Sequence, residues 1–185
     1  MNRNMKFAGL LIVLALLVGC SGGGGSVKPK ETLLKPYSNQ YYGIMYPSEF
    51  TYTVEKERDV FYDTETFTIY EEDHFRMDVL TMDLKGVPIT PNDFDELVNE
   101  FVEGFGKETA AKIISSSSTG VASGQPAQRT IFEVERYGEE GAKVLIVATY
   151  NKDVFVLMSF ITMMGEFAAK LPVFNEIVDT FKFLN

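Results

Sequence analysis

One stretch of the chain gathers metal-ligating side chains, Glu71-Glu72-Asp73-His74. Carboxylates suit hard cations and imidazole suits transition metals. Consecutive residues of an extended strand alternate between its faces, so these four cannot all point at one ion. EF-hand spacing is absent too. The stretch reads as a solvated acidic loop between two strands, and no metal or cofactor is assigned to it. His74 is also the sole histidine, so a Ser-His-Asp or Cys-His enzyme would have to use it. After the N-terminal glycine tract neither Gly-x-Ser-x-Gly nor Ser-x-x-Lys occurs, the serine run 115–118 included. Two acid pairs, Asp93 with Asp95 and Glu139 with Glu140, fall at an expected helix start and an expected hairpin tip. Both are ordinary surface places for acids. No catalytic residue is assigned.

The remaining reactive side chain is Cys20, the only cysteine. It follows a short basic start (Arg3, Lys6) and an unbroken apolar run from Phe7 to Val18. That layout is a secretory signal. A bilayer-spanning helix needs roughly 20 residues, so this run is too short for a permanent anchor. Its last residues, Leu17-Val18-Gly19-Cys20, resemble the bacterial lipobox. The resemblance implies that Leu17, Val18 and Gly19 are the signal-peptidase recognition residues, that residues 1–19 are removed, and that Cys20 carries the lipid. Two or more acyl chains anchor stably where one does not. Once Cys20 is acylated no thiol remains, and the exported domain must hold together through its core alone.

Ser21-Gly22-Gly23-Gly24-Gly25-Ser26 is a flexible tether, continued to Lys35, so residues 20–35 read as linker and 36–185 as one domain. The glycines are not a phosphate loop, because no strand precedes them and no Gly-Lys-Ser/Thr follows. Ser21 after the cysteine favours outer-membrane sorting in a Gram-negative cell. The chain carries 17 basic and 26 acidic residues, and loss of Arg3 and Lys6 takes its net charge from −9 to −11. Nucleic acid is therefore excluded as a partner. Repulsion from anionic lipid leaves the acyl anchor to hold the protein on its membrane.

The domain must then supply the elements. Tyr41–Tyr46 and Phe50–Val54 predict a β-hairpin or two short strands, split by Pro47-Ser48. Further strands are expected at 66–70 and 76–84, the latter with apolar residues on both faces. Thr90, Pro91 and Asp93 carry the capping pattern of a helix start. Phe94, Leu97, Val98, Phe101, Val102 and Phe105 form its apolar stripe, and Gly104 and Gly106 mark its end. An edge strand is expected at 113–118. Three longer strands follow at 127–137, 142–150 and 154–162, joined by short turns and so antiparallel. Their near-continuous apolar content places the last two centrally. A helix from about 171 to 180 closes the chain. The class is α+β, an antiparallel β-sheet flanked by helices.

Three segments together resemble PsbP-like domains. They are Tyr42-Gly43-Ile44-Met45-Tyr46-Pro47-Ser48-Glu49-Phe50, the strand entry Gly124-Gln125-Pro126-Ala127, and the finish Phe174-Asn175-Glu176-Ile177-Val178-Asp179-Thr180-Phe181-Lys182-Phe183. Phe50 stands where that family usually has Trp, and Thr180 where it has Ser. The resemblance implies a PsbP-like α/β/α sandwich. The family includes the extrinsic P subunit of photosystem II, a Ran-binding protein and bacterial lipoproteins of the DcrB type, mostly non-enzymatic partners or assembly factors. It offers no catalytic residue to carry over. The expected role is a lipoprotein exported and lipid-anchored to the extracytoplasmic face of the cell membrane or to the outer membrane. There it would act as a non-catalytic protein-binding or assembly module with an envelope protein partner. The alternative is a small-ligand or metal-binding carrier using a groove between helix and sheet.

Overall fold

A computed structural model describes residues 33–71, 75–120, 123–135 and 141–184. The element order is β1 (Leu34–Ser38), β2 (Tyr42–Pro47), β3 (Thr51–Arg58), β4 (Asp63–Glu71), β5 (Phe75–Asp83), α1 (Pro91–Thr109), β6 (Lys112–Gly120), β7 (Pro126–Val134), β8 (Ala142–Asn151), β9 (Val154–Met163), α2 (Phe167–Asp179) and β10 (Lys182–Phe183). Seven strands form one sheet in the order β3-β4-β5-β9-β8-β7-β6, and three form another in the order β1-β2-β10. Each pairing between described strands is antiparallel.

Residue type explains the layering. Along β4, Phe67 and Ile69 are buried while Thr66, Thr68 and Tyr70 are half-buried, a period of two with one covered face. Along β5, Met77 and Val79 face one cluster and Leu80 and Met82 the other, so both faces are covered. The apolar runs of β8 and β9 lie at the centre, as expected of strands buried on both sides. One face packs Phe94, Val98 and Phe101 of α1 on Leu80, Val144, Ile146 and Leu157. The opposite face packs Tyr42, Ile44 and Tyr46 of β2, together with Phe174, Ile177 and Val178 of α2, on Phe67, Met77, Leu145 and Phe160.

This corrects the expected sandwich in part. One outer layer is a helix, but the other is shared between a three-stranded sheet and a helix, so strands dominate. Of the hairpin or two short strands expected over 41–54, the two strands form. β2 and β3 belong to different sheets, because Pro47-Ser48 carries the chain from one to the other. β1 takes in Leu34 and Lys35, which the sequence assigns to the tether. Lys35 fixes the strand by donating Nζ to Ser48 O and Phe50 O and by lying over the Tyr46 ring.

The helix ends also differ. Thr90 and Asp93 form the expected capping box, Asp93 N donating to Thr90 Oγ1 at 3.2 Å and Thr90 N to Asp93 Oδ2 at 2.9 Å. α1 runs through Gly104 and Gly106 to Thr109 and stops at Ala110 in the left-handed region. Phe105 lies across Phe132 of the sheet, and that packing carries the helix past its glycines. α2 begins at Phe167, upstream of the expected 171, and keeps Pro172 inside it because Phe167 and Phe174 both lie near Phe160. Gly141, entering β8, has φ +73°, and a Cβ there would lie 2.8 Å from Val134 O. Only glycine fits that close approach.

The strands of the large sheet turn back at two poles. Leu33 sits at one, its carbonyl accepting from Ser48 N at 2.7 Å, beside the start of β3. β3 then runs about 23 Å to Arg58 at the other end. A hydrogen-bonded cluster of polar residues lies at that far pole.

Candidate functional site

Most of the residues singled out in the sequence lie outside the described part of the structure. Leu17, Val18, Gly19 and Cys20 lie outside the described residues, as do Glu72, Asp73, His74, Glu139 and Glu140. Glu71 is described at the end of β4, where its Oε2 lies 3.2 Å from Lys170 Nζ and ties α2 to the sheet. Asp93 caps α1. Ser115 to Ser118 lie exposed on β6, the edge strand that was expected there. Among the described residues, no three or more His, Cys, Asp or Glu side chains are grouped to hold a metal ion.

What the fold does assemble is a tyrosine–carboxylate cluster at the pole far from Leu33. Glu65 lies on β4, two residues before Phe67, so the alternation that buries Phe67 turns Glu65 inward as well; it is 5 % exposed. Burying a charge is unfavourable unless it is paired and hydrogen-bonded. Tyr37 on β1 donates its hydroxyl to Glu65 Oε1 at 2.7 Å, and Asn39 donates its amide to the same oxygen. Lys56, directly opposite on β3, places Nζ 2.7 Å from Oε2. Asn39 in turn accepts from Tyr41 N and Tyr42 N, which shapes the β1–β2 turn. Tyr41 donates to Asp83 Oδ2 at 2.9 Å. Strand β1 and the turn that follows it are thus stapled to β4 and β5 of the large sheet.

The protonation states follow. Burial alone pushes the Glu65 carboxyl up, but Asn39, Lys56 and Tyr37 together outweigh it and hold the group below its usual value. Burial first, and then the bond to Asp83, push Tyr41 up to about 12. Burial followed by the Glu65 bond pushes Tyr37 up too, and burial does the same to Tyr42. An ionised carboxylate saturated with donors, beside phenols that keep their protons, is equipped to hold two sheets together. The Tyr42 hydroxyl and Thr81 Oγ1 feel each other electrostatically, yet neither makes a well-aligned hydrogen bond.

Just beyond the cluster, the β3–β4 hairpin turns through Asp59-Val60-Phe61-Tyr62. Asp59 N donates to Tyr62 O at 2.9 Å and Phe61 N to Asp59 Oδ1 at 3.0 Å, an Asx-type turn. The neighbouring loop braces it. Lys85 donates to Asp59 O and lies 2.9 Å from Asp63 Oδ1, an ionic contact short of hydrogen-bond alignment. Gly86 N donates to Asp153 Oδ2 of the β8–β9 turn at 2.7 Å. On this held frame Val60 is 84 % exposed and Phe61 76 %, with Val87 half out nearby on the Lys85 loop.

Sequence reasoning missed both features. Glu65 is invisible because Asp63-Thr64-Glu65-Thr66 reads as a polar surface strand. Val60-Phe61 did leave a signal, two large apolar residues in a turn that otherwise calls for polar ones.

No protein-family profile matches the chain, and no curated protein matches it in sequence. Solved structures do resemble it. The solution structure of cyanobacterial PsbP (CyanoP) from Synechocystis sp. PCC 6803 aligns over 90 % of this chain and 99 % of its own, with a TM-score of 0.59 and 16 % identity. A Bacteroides thetaiotaomicron structure aligns over 78 % of this chain and 45 % of its own, at TM-score 0.49 and 13 % identity. A Pseudomonas aeruginosa protein of unknown function aligns over 80 % of this chain and 94 % of its own, at TM-score 0.48 and 10 % identity. The first establishes a PsbP-like fold for this chain, as the sequence motifs implied. At such identity the likeness concerns fold alone.

Proposed function

We propose that this protein is an extracytoplasmic lipoprotein of the DcrB type, anchored through Cys20, whose folded domain is a non-catalytic protein-binding or assembly module. The anchoring half of the reading rests on Leu17-Val18-Gly19-Cys20 at the end of a short apolar run. The binding half rests on one observation, the braced apolar tip Val60-Phe61 at the pole away from Leu33. A folded chain gains by burying such side chains, so a tip that holds them out is suited to a partner. The carboxylates beside it are occupied in joining strands and loops, which suits a rigid platform better than acid–base chemistry. The acidic balance of the chain fits a protein partner and not a nucleic acid.

A crosslinking pull-down from native membranes, wild type against Cys20→Ala, tests this reading. It expects a discrete set of envelope proteins captured by the wild type and lost with the variant. Recovery of the same set by both, or of no reproducible protein from membranes that hold the wild type, contradicts it.

A further inference from the structure

The pole that carries Val60 and Phe61 is acidic. Its loops and strand ends, residues 57–63, 83–93 and 151–153, hold six carboxylates: Glu57, Asp59, Asp63, Asp83, Asp93 and Asp153. They hold three cations, Arg58, Lys85 and Lys152. The apolar tip is therefore set in a ring with a net charge of −3. Two copies meeting pole to pole would oppose like charges across a small contact, which disfavours a symmetric dimer there. Anionic lipid would be repelled for the same reason. The N-terminal segment proposed as the membrane anchor joins at Leu33, about 23 Å away along β3, so the tip and the point of attachment lie at opposite ends of that strand.

The tip is also preorganised. Hydrogen bonds within Asp59–Tyr62 close the turn, and Lys85 joins it to the next loop. Lys85 and Lys152, in two of the loops at this pole, adopt φ of 52° and 56°, the left-handed region that side chains rarely occupy. A rigid pair of exposed apolar side chains loses little conformational freedom on binding, and an aromatic anchor entering a pocket carries much of a typical interface's affinity.

We infer that this pole docks onto a protein partner that presents an apolar cleft with a basic rim, Phe61 and Val60 entering the cleft and the acidic ring meeting its lysines and arginines. The inference rests on the binding-module reading and names the surface and the partner chemistry it uses. Photocrosslinking of the full chain in native membranes tests it, with p-benzoylphenylalanine in place of Phe61 and, as a control, in place of the half-exposed Ile113 on β6. The expected result is an adduct from position 61 to an apolar protein segment flanked by Lys or Arg, at about ten times the yield from position 113. With the photoprobe at Val87 instead, Phe61→Ser lowers the adduct by about tenfold or more, while the melting temperature stays within about 1 °C of its parent. Adducts from position 61 to lipid, to a second copy, or at no more than the control yield overturn the inference. If position 113 captures an envelope protein and position 61 does not, the docking surface is wrong and the binding-module reading survives. If no position captures a protein, both fall.

Discussion

Replacing Glu65 tests whether the two sheets are held together as described. In Glu65→Ala the Tyr37 hydroxyl and the Asn39 amide lose a charged acceptor in a place that water reaches poorly. Hydrogen bonds to a charged group contribute about 1.5–3 kcal/mol each. The third partner, Lys56, is 64 % exposed, so its pair adds less than about 1 kcal/mol after solvent screening. The sum is about 3–7 kcal/mol, a large share of the roughly 5–15 kcal/mol that stabilises a domain. For a domain of this size it lowers Tm by about 6–28 °C. Glu65→Gln keeps an acceptor for Tyr37 but not the charge, and should lose about half as much. The pH dependence separates the terms. The folded-state pKa of Glu65 lies below its ordinary value, so its contribution is present above about pH 4.3 and fades as pH falls through the folded value. The gap between wild type and Glu65→Gln in urea unfolding should therefore shrink as pH drops from 6 toward 3. A loss under about 1 kcal/mol in Glu65→Ala, or a gap that does not change with pH, refutes the reasoning.

Three further outcomes are expected. Phe174→Ala removes a fully buried ring stacked 5.4 Å from Phe160 and should cost about 3–5 kcal/mol by denaturant titration. Thr90→Ala breaks the capping box of α1 and should cost about 1 kcal/mol, seen as a small shift of the unfolding midpoint at unchanged slope. The raised values of Tyr37, Tyr41 and Tyr42 mean that their contribution is complete below the ordinary phenol value and is lost as pH rises through the folded ones. Stability should thus fall from about pH 10 upward, and ultraviolet titration of the folded protein should show Tyr41 ionising near 12.

The legible parts of the fold were those with one dominant period. The stripe from Phe94 to Phe105 and the capping pattern at Thr90 located α1 at its start, and the apolar runs at 144–148 and 154–158 located the central strands. Misplaced boundaries have tertiary causes. Gly104 and Gly106 read as a helix stop, but Phe105 needs helical geometry on either side of it to lie on Phe132. The last helix is expected from about 171, yet the packing of Phe167 and Phe174 on Phe160 starts it at Phe167 and carries it through Pro172. The pairing of β10 with β2 depends on contacts 135 residues or more apart, of which the Thr180 bond to Met45 is one, and no local pattern encodes them. The far-pole cluster was hidden for a related reason. Glu65, Tyr37 and Asp83 come from three separated strands and meet only once both sheets exist.

The anchor is the claim on which the proposed role depends, and intact mass spectrometry of the protein from a membrane fraction tests it most directly. The account predicts a chain that begins at Cys20 and carries the mass of a diacylglyceryl group, with Cys20→Ala unmodified and failing to remain with the membrane. A wild-type chain that begins at any other residue, or that carries no lipid, contradicts it.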